Sequence, residues 1–171
     1  MKVVFLENLE NLFRQHNMRF LYIGSYALSL YYTEALCEFT PPDIDILIKG
    51  SYANIISFLH EIPFIEGHVE IWGEKALASW TENFLVGKWY MRVFQEQLVI
   101  DISFEYPYLD FEQSWAHRVQ CKQHILASVE DIWYLKCLQN PERSSLFAKT
   151  YGLEIPANSI RRQKEWCSIQ K

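Results

Sequence analysis

The stretch FLYIGSYALSLYYTEALCEFTPPDIDILIKG, Phe20–Gly50, decides how the rest of the chain is read. Its apolar opening ends on Gly24-Ser25, and after a loop closed by TPPD it places Asp43 and Asp45 in an otherwise apolar run. On a strand, residues i and i+2 point to the same face. Asp43 and Asp45 therefore stand side by side while Ile44 and Ile46 face the core. Two neighbouring carboxylates repel unless a cation sits between them. A hard, oxygen-seeking ion such as Mg²⁺ or Mn²⁺ suits that place. Gly24-Ser25 supplies a complementary feature, because a strand that turns through small residues into a helix start offers backbone N–H groups and a hydroxyl to an anion. A phosphate would dock there.

A third carboxylate lies downstream in LVIDISF, where Asp101 stands between Ile100 and Ile102. An ordinary solvent-facing Asp at a strand edge is the plainer reading of any one of these residues. Three of them inside apolar strands point to metal binding instead.

The remaining elements follow from periodicity. Leu6, Leu9 and Phe13 recur at helical spacing, so residues 2–16 read as an amphipathic helix with Asn17 as its C-cap. RFLYIG is a strand, SYALSLYY a helix, DIDILI a strand, and SYANIISFLHEI a helix opened by Ser51. A strand is expected from Phe64 to Trp72. NFLVGKWYMRVF and QLVIDISF read as the two arms of a hairpin around QEQ. Beyond Pro107 the composition turns helical, from Phe111 to Arg118 and then in SVEDIWYLKCLQN, with Ser128 as N-cap and Pro141 as its stop. A last short helix spans about Glu142 to Thr150. The expected organisation is a core over residues 1–107 and a helical extension over 108–171 packed on it, with a tail from about 153 loosely held.

Half of the 171 residues are apolar and 16% aromatic, enough for one packed domain. No apolar run reaches the roughly 18 residues of a membrane span, and MKVVFLENLENLF becomes acidic too early for a secretion signal. The expectation is a soluble, cytoplasmic protein without membrane contact. The four cysteines include no C-x-x-C pair, which suits reduced thiols. CKQH, holding Cys121 and His124, has metal-like spacing but no second pair. Net charge is -5; residues 1–116 carry 7 Lys/Arg against 16 Asp/Glu, and residues 117–171 carry 9 against 5. The basic C-terminal part is either a solvated helical face or an arm that touches a polyanion.

With these elements in place, the sequence resembles the polymerase-beta-like nucleotidyltransferase superfamily, whose pattern is an h-G-[GS] turn, then h-D-h-D-h, then a later h-D-h. The corresponding stretches are IGS, PDIDI and IDI. The resemblance implies an α+β fold, a small mixed sheet with helices mainly on one face. It also implies transfer of a nucleoside monophosphate from an NTP to an acceptor hydroxyl, with release of pyrophosphate. In that comparison Gly24 and Ser25 hold the triphosphate, Asp43 and Asp45 bind both metal ions, and Asp101 binds the catalytic ion and helps activate the acceptor.

SVEDIWYLKCL further resembles the S-L-E-D-L-x-x-L-K-x-L helix of AbiEii-like abortive-infection toxin nucleotidyltransferases, with Lys136 on that family's functional lysine. Lys136 also shares a helical stripe with Val129, Ile132 and Trp133, so it either snorkels to water or faces an anionic cleft. The sequence departs from the toxins at CEFTPPD and NPERSSLFAKTYG, and its brevity is similar to that of lincosamide-type nucleotidyltransferases. The implied acceptor is an RNA end such as that of tRNA, a protein hydroxyl or a small molecule; the acidic first two-thirds argue against a large duplex footprint. The alternative is a binding module of the same fold, acting by contact with a protein partner in a toxin–antitoxin or defence pair.

Overall fold

The computed structural model describes residues 2–62, 68–71, 74–75 and 81–170. Among these, helices and strands mix in an α/β architecture, in keeping with the α+β class expected. The chain divides into two compact units, Met1–Leu21 with Pro42–Pro107, and Tyr22–Pro41 with Tyr108–Lys171. The expected break at Pro107 is present, but the assignment of all of residues 1–107 to one core is corrected. Tyr22–Pro41 belongs with the C-terminal unit.

In the first unit, α1 (Lys2–Gln15) buries Leu6, Leu9 and Phe13 on one face. It ends where expected. Asn17 takes a left-handed φ of 53°, Asn17 N–H donates to Arg14 O at 3.1 Å, and Met18 N–H donates to Phe13 O at 2.8 Å. That pair of bonds closes a Schellman motif, with Asn in the position usually given to Gly. Strand β1 (Arg19–Ile23) follows, and after it β2 (Ile44–Lys49). Helix α3 (Tyr52–Glu61) opens on Ser51, whose Oγ accepts from Asn54 N–H at 3.2 Å. Its Phe58 ring lies 5.0 Å from that of Phe13, joining α3 to α1.

Strands β3 (His68–Ile71), β4 (Glu74–Lys75), β5 (Tyr90–Gln95) and β6 (Leu98–Ser103) complete this unit. Their order is β4-β3-β5-β6-β2-β1. The β2–β6 pair is parallel while β5 runs antiparallel to both β3 and β6, so the sheet is mixed. Of the strand expected over Phe64 to Trp72, residues 68–71 are extended, and its two ends lie outside the described residues. The first hairpin arm is shorter than expected: Glu82–Leu85 forms the short helix α4, and the strand starts only at Tyr90. Gly87, at φ 79°, takes a conformation that an extended run of ordinary residues would not permit.

In the second unit, the end of β1 runs parallel to β8 (His124–Leu126), which pairs with β7 (Val119–Cys121), giving the order β1-β8-β7. Sequence reading saw neither short strand. CKQH is the turn of this hairpin, with Cys121 opposite His124 and Lys122 at φ 53°. Helix α2 (Gly24–Tyr31) packs on α6 (Val129–Gln139). The Tyr31 hydroxyl donates to Ala127 O at 2.7 Å, tying the end of α2 to the entry of α6. These long-range contacts are why Tyr22–Pro41 leaves the core to which its sequence position assigned it.

Helix α5 (Phe111–Ala116) opens on Asp110, and α6 opens on Ser128 as expected, its Oγ accepting from Asp131 N–H at 3.1 Å. Helix α7 (Pro141–Tyr151) ends at Gly152 in the left-handed conformation. The tail expected to be loose from about 153 is instead the 13-residue helix α8 (Ala157–Ile169), packed on α6. Its anchors are polar. Ser159, fully buried, donates to Glu130 O at 2.7 Å, and Arg162 reaches Asp131 at 2.6 Å. Hydrophobic periodicity cannot register such a helix. No described helix is long and apolar enough to cross a membrane.

Candidate functional site

The carboxylates lie in the first unit. Parallel pairing sets Asp45 of β2 against Asp101 of β6, while Ile44 and Ile46 pair with Ile100 and Ile102 and are fully buried. Burial of the isoleucines fixes the register, and the register puts the acids on the other face. Asp43 sits in the bend immediately before β2. One oxygen from each of Asp43, Asp45 and Asp101 lies within 4.8 Å of the others, and all three residues are half-buried.

Two ligand oxygens on opposite sides of one Mg²⁺, at about 2.1 Å each, are about 4.2 Å apart. The three acids therefore stand close to ligating distance, and their all-oxygen chemistry fits Mg²⁺ or Mn²⁺. Among the described residues no other group of three His, Cys, Asp or Glu side chains shares this arrangement.

Sequence reading missed Arg92. It lies on β5 directly opposite Asp101, and its guanidinium grips that carboxylate with both arms, Nε to Oδ1 at 2.5 Å and Nη2 to Oδ2 at 2.6 Å. The hydrogen bonds to Asp101 raise its pKa above the usual arginine value; partial burial works against this, and the negative charges of Asp101 and Asp43 add to it. The signal was present in the hairpin. A two-residue turn at Glu96-Gln97, with Glu96 at φ 53°, pairs Gln95 with Leu98 and hence Arg92 with Asp101. Reading all of QEQ as the turn shifts the register by one and conceals the pair.

The other three residues singled out lie in the second unit. Gly24 begins α2 at φ 68°, a conformation glycine adopts without strain. The N-cap Ile23 brings no side-chain acceptor to the first turn of α2, so the helix start has no capping side chain competing for its N–H groups. Lys136 Nζ donates to Ser25 Oγ at 2.9 Å and lies 5.0 Å from the centre of the Phe147 ring. The lysine thus turns toward the strand–helix junction and is only partly exposed. A hydroxyl and an ammonium side by side at a helix start make an anion-binding set.

His124 is buried, its ring edge-on to Tyr22 at 4.9 Å, and Cys121 makes a weak contact with Leu30 O. Both are packing residues of the β7–β8 hairpin. Compared with known proteins, the chain matches no family model, no curated relative and no solved structure.

Proposed function

We propose that this chain is a metal-dependent nucleotidyltransferase that moves a nucleoside monophosphate from an NTP to an acceptor hydroxyl. The observation that carries the reading is the in-register placement of Asp45 and Asp101 on neighbouring parallel strands, with Asp43 beside them. The mixed sheet, the glycine turn into α2 and the Lys136–Ser25 bond support it. Asp43, Asp45 and Asp101 would hold Mg²⁺ or Mn²⁺. A divalent ion in that set lowers the pKa of an attacking hydroxyl and offsets charge on departing pyrophosphate.

Within the second unit, Gly24, Ser25 and Lys136 would hold phosphate oxygens. Asp101 would take the acceptor's proton as the acceptor oxygen bonds to the α-phosphorus and the bond to pyrophosphate breaks. The acceptor class is a tRNA end, a protein hydroxyl or a small molecule.

The test incubates the protein with each α-labelled NTP, Mg²⁺ or Mn²⁺, total tRNA and a metabolite panel. Label transfer is expected with wild type and not with Asp43→Asn/Asp45→Asn. A parallel melt should rise by about 5–10 °C with metal and NTP at about 100 times Kd, from about 2.7 kcal/mol of linkage. Metal alone or NTP alone should give less. A flat response from wild type to every NTP with metal overturns the reading.

One observation favours a second reading. Both Asp101 oxygens are already taken by Arg92, which suits a silent site in a fold that acts by contact with a protein partner. Absence of transfer together with metal-independent capture of one defined partner would select it.

A further inference from the structure

A cavity of about 710 Å³ opens in the second unit, within the usual size range of small-molecule sites. The first turn of α6, the ends of α2 and α5, the start of β7 and the first turns of α8 surround it. It lies at the opposite end of α2 and α6 from the Ser25–Lys136 bond. Tyr31 and Val129 line it, and Lys136 is about 10 Å along the helix from Val129.

Of the Asp, Glu, Lys and Arg side chains that line this cavity, Asp131 and Arg162 neutralise each other through their 2.6 Å bond. Glu130 and Arg161 remain. Glu130 is half-buried, and among the described residues its carboxylate has neither an ion-pair nor a hydrogen-bond partner. Arg161 is exposed and loosely held, by Asn158 Oδ1 at 2.9 Å and by Glu165 at 3.9 Å. No ion pair joins Glu130 to either arginine, although all three face the same space. The Tyr31 phenol shares that space. Its proton is committed to Ala127 O, so its oxygen can only accept a further bond. Burial first, then the charges of Glu130, Cys121 and Asp131, raise its pKa, which sets the phenol in a negative field.

We propose that this cavity binds a zwitterion with an apolar side chain, a free amino acid or a short peptide, whose ammonium meets Glu130 and Tyr31 and whose carboxylate meets Arg161. Charge decides the class. A simple anion would be opposed by Glu130 and a simple cation by Arg161, whereas a molecule carrying both signs satisfies both walls. An ammonium brings donors and no acceptor, matching a carboxylate and a phenol oxygen that both accept. A guanidinium takes a carboxylate with two parallel bonds. Val119 and Val129, also in the lining, offer apolar contact to the side chain. The site needs neither metal nor NTP, so it stands apart from the nucleotide-transfer reading.

The experiment measures binding to the full chain by calorimetry and saturation-transfer NMR, without metal or nucleotide. The ligands are leucine, leucylleucine, 3-methylbutylamine, which lacks the carboxylate, and 4-methylpentanoate, which lacks the ammonium. Leucine or leucylleucine should bind at least about tenfold tighter than either single-charge analogue. Tighter binding of leucylleucine assigns the wider charge separation of a peptide, and tighter binding of leucine assigns a free amino acid.

Glu130→Gln should remove the advantage of the zwitterion over 4-methylpentanoate, and Arg161→Gln its advantage over 3-methylbutylamine. A merely structural defect would weaken all ligands alike. Melts check that each variant is folded; if Glu130→Gln is not, Arg161→Gln, at an exposed position, carries the measurement. A single-charge analogue that binds as tightly as both zwitterions, or equal losses for every ligand in a folded variant, overturns the proposal. So does the absence of any leucine or leucylleucine binding with a Kd below about 10 mM.

Discussion

Lys136 and Ser25, 111 residues apart in the chain, meet through a hydrogen bond of 2.9 Å at the start of α2. The sequence left the lysine two directions, toward water or toward a cleft. The bond to Ser25 takes it to the helix start. Lys136→Met retains the stem and deletes the ammonium, so nucleotide transfer should fall by at least about tenfold, equivalent to about 1.4 kcal/mol of transition-state stabilisation. Steady-state kinetics with the preferred NTP measures it. Unchanged kinetics would reduce the Lys136–Ser25 pair to a structural contact.

The three aspartates should part company in stability while agreeing in activity. Asn at position 43, 45 or 101 should each abolish transfer. Asp43→Asn and Asp45→Asn relieve like-charge repulsion, so their metal-free melting temperatures should hold or rise. Asp101→Asn differs, because it leaves the Arg92 fork with a neutral acceptor. Its melting temperature should drop by about 1–3 °C, a modest amount because the guanidinium is partly in solvent. A rise in Asp101→Asn equal to that of the other two would show that the fork contributes nothing.

An ion pair ties helix α8 to α6 beside the Ser159 bond. Asp131 is 7% exposed and accepts from Arg162 at 2.6 Å, and the same guanidinium lies 4.4 Å from the centre of the Tyr134 ring. Arg162→Ala should destabilise the protein by about 3 kcal/mol, because it strands a buried carboxylate. Adding Asp131→Asn should recover part of that loss. Denaturant unfolding of the two singles and the double checks this; a loss below about 0.5 kcal/mol in Arg162→Ala would be the signature of a merely superficial contact.

Alkaline pH should loosen the second unit. Burial, chiefly, raises the pKa of Tyr31, with the charges of Glu130, Cys121 and Asp131 adding to it. Burial also raises Tyr134, partly opposed by Arg162. For both groups the folded value exceeds the unfolded one, so the unfolded chain sheds its protons first. Their contribution is complete below the ordinary tyrosine value of about 10 and is lost as pH rises through the folded values. The melting temperature should therefore decline above about pH 10. Tyr31→Phe, which cannot ionise, should flatten the decline while losing its bond to Ala127 O. An identical pH profile in Tyr31→Phe would exclude this phenol as a source.

Local rules carried far along this chain. The Asn17 stop, the Ser51 and Ser128 caps and the alternation of Asp with Ile in PDIDI and IDI were legible because each depends on neighbours a few residues away. Strands β7 and β8 were not. They are three residues each, too short for a periodic signal, and form because the end of β1 offers an edge to Leu126. Helix α8 was missed for another reason: a buried serine and an arginine paired with Asp131 hold it, and neither residue type announces burial.

The sequence by itself determined that Asp45 and Asp101 would lie in apolar strands, with Asp43 two residues before Asp45, since only alternation places Ile44, Ile46, Ile100 and Ile102 inside and the acids outside. It also determined the glycine turn at the start of α2, because Gly24 admits the left-handed backbone. Only tertiary structure decided which residues face those groups. Arg92 meets Asp101 through a hairpin register that a single residue of slip would undo. Lys136 meets Ser25 because α6 packs on α2. Composition and spacing report what a residue is and which way its own element turns it; the identity of its partner is set by packing between segments that the chain itself keeps far apart.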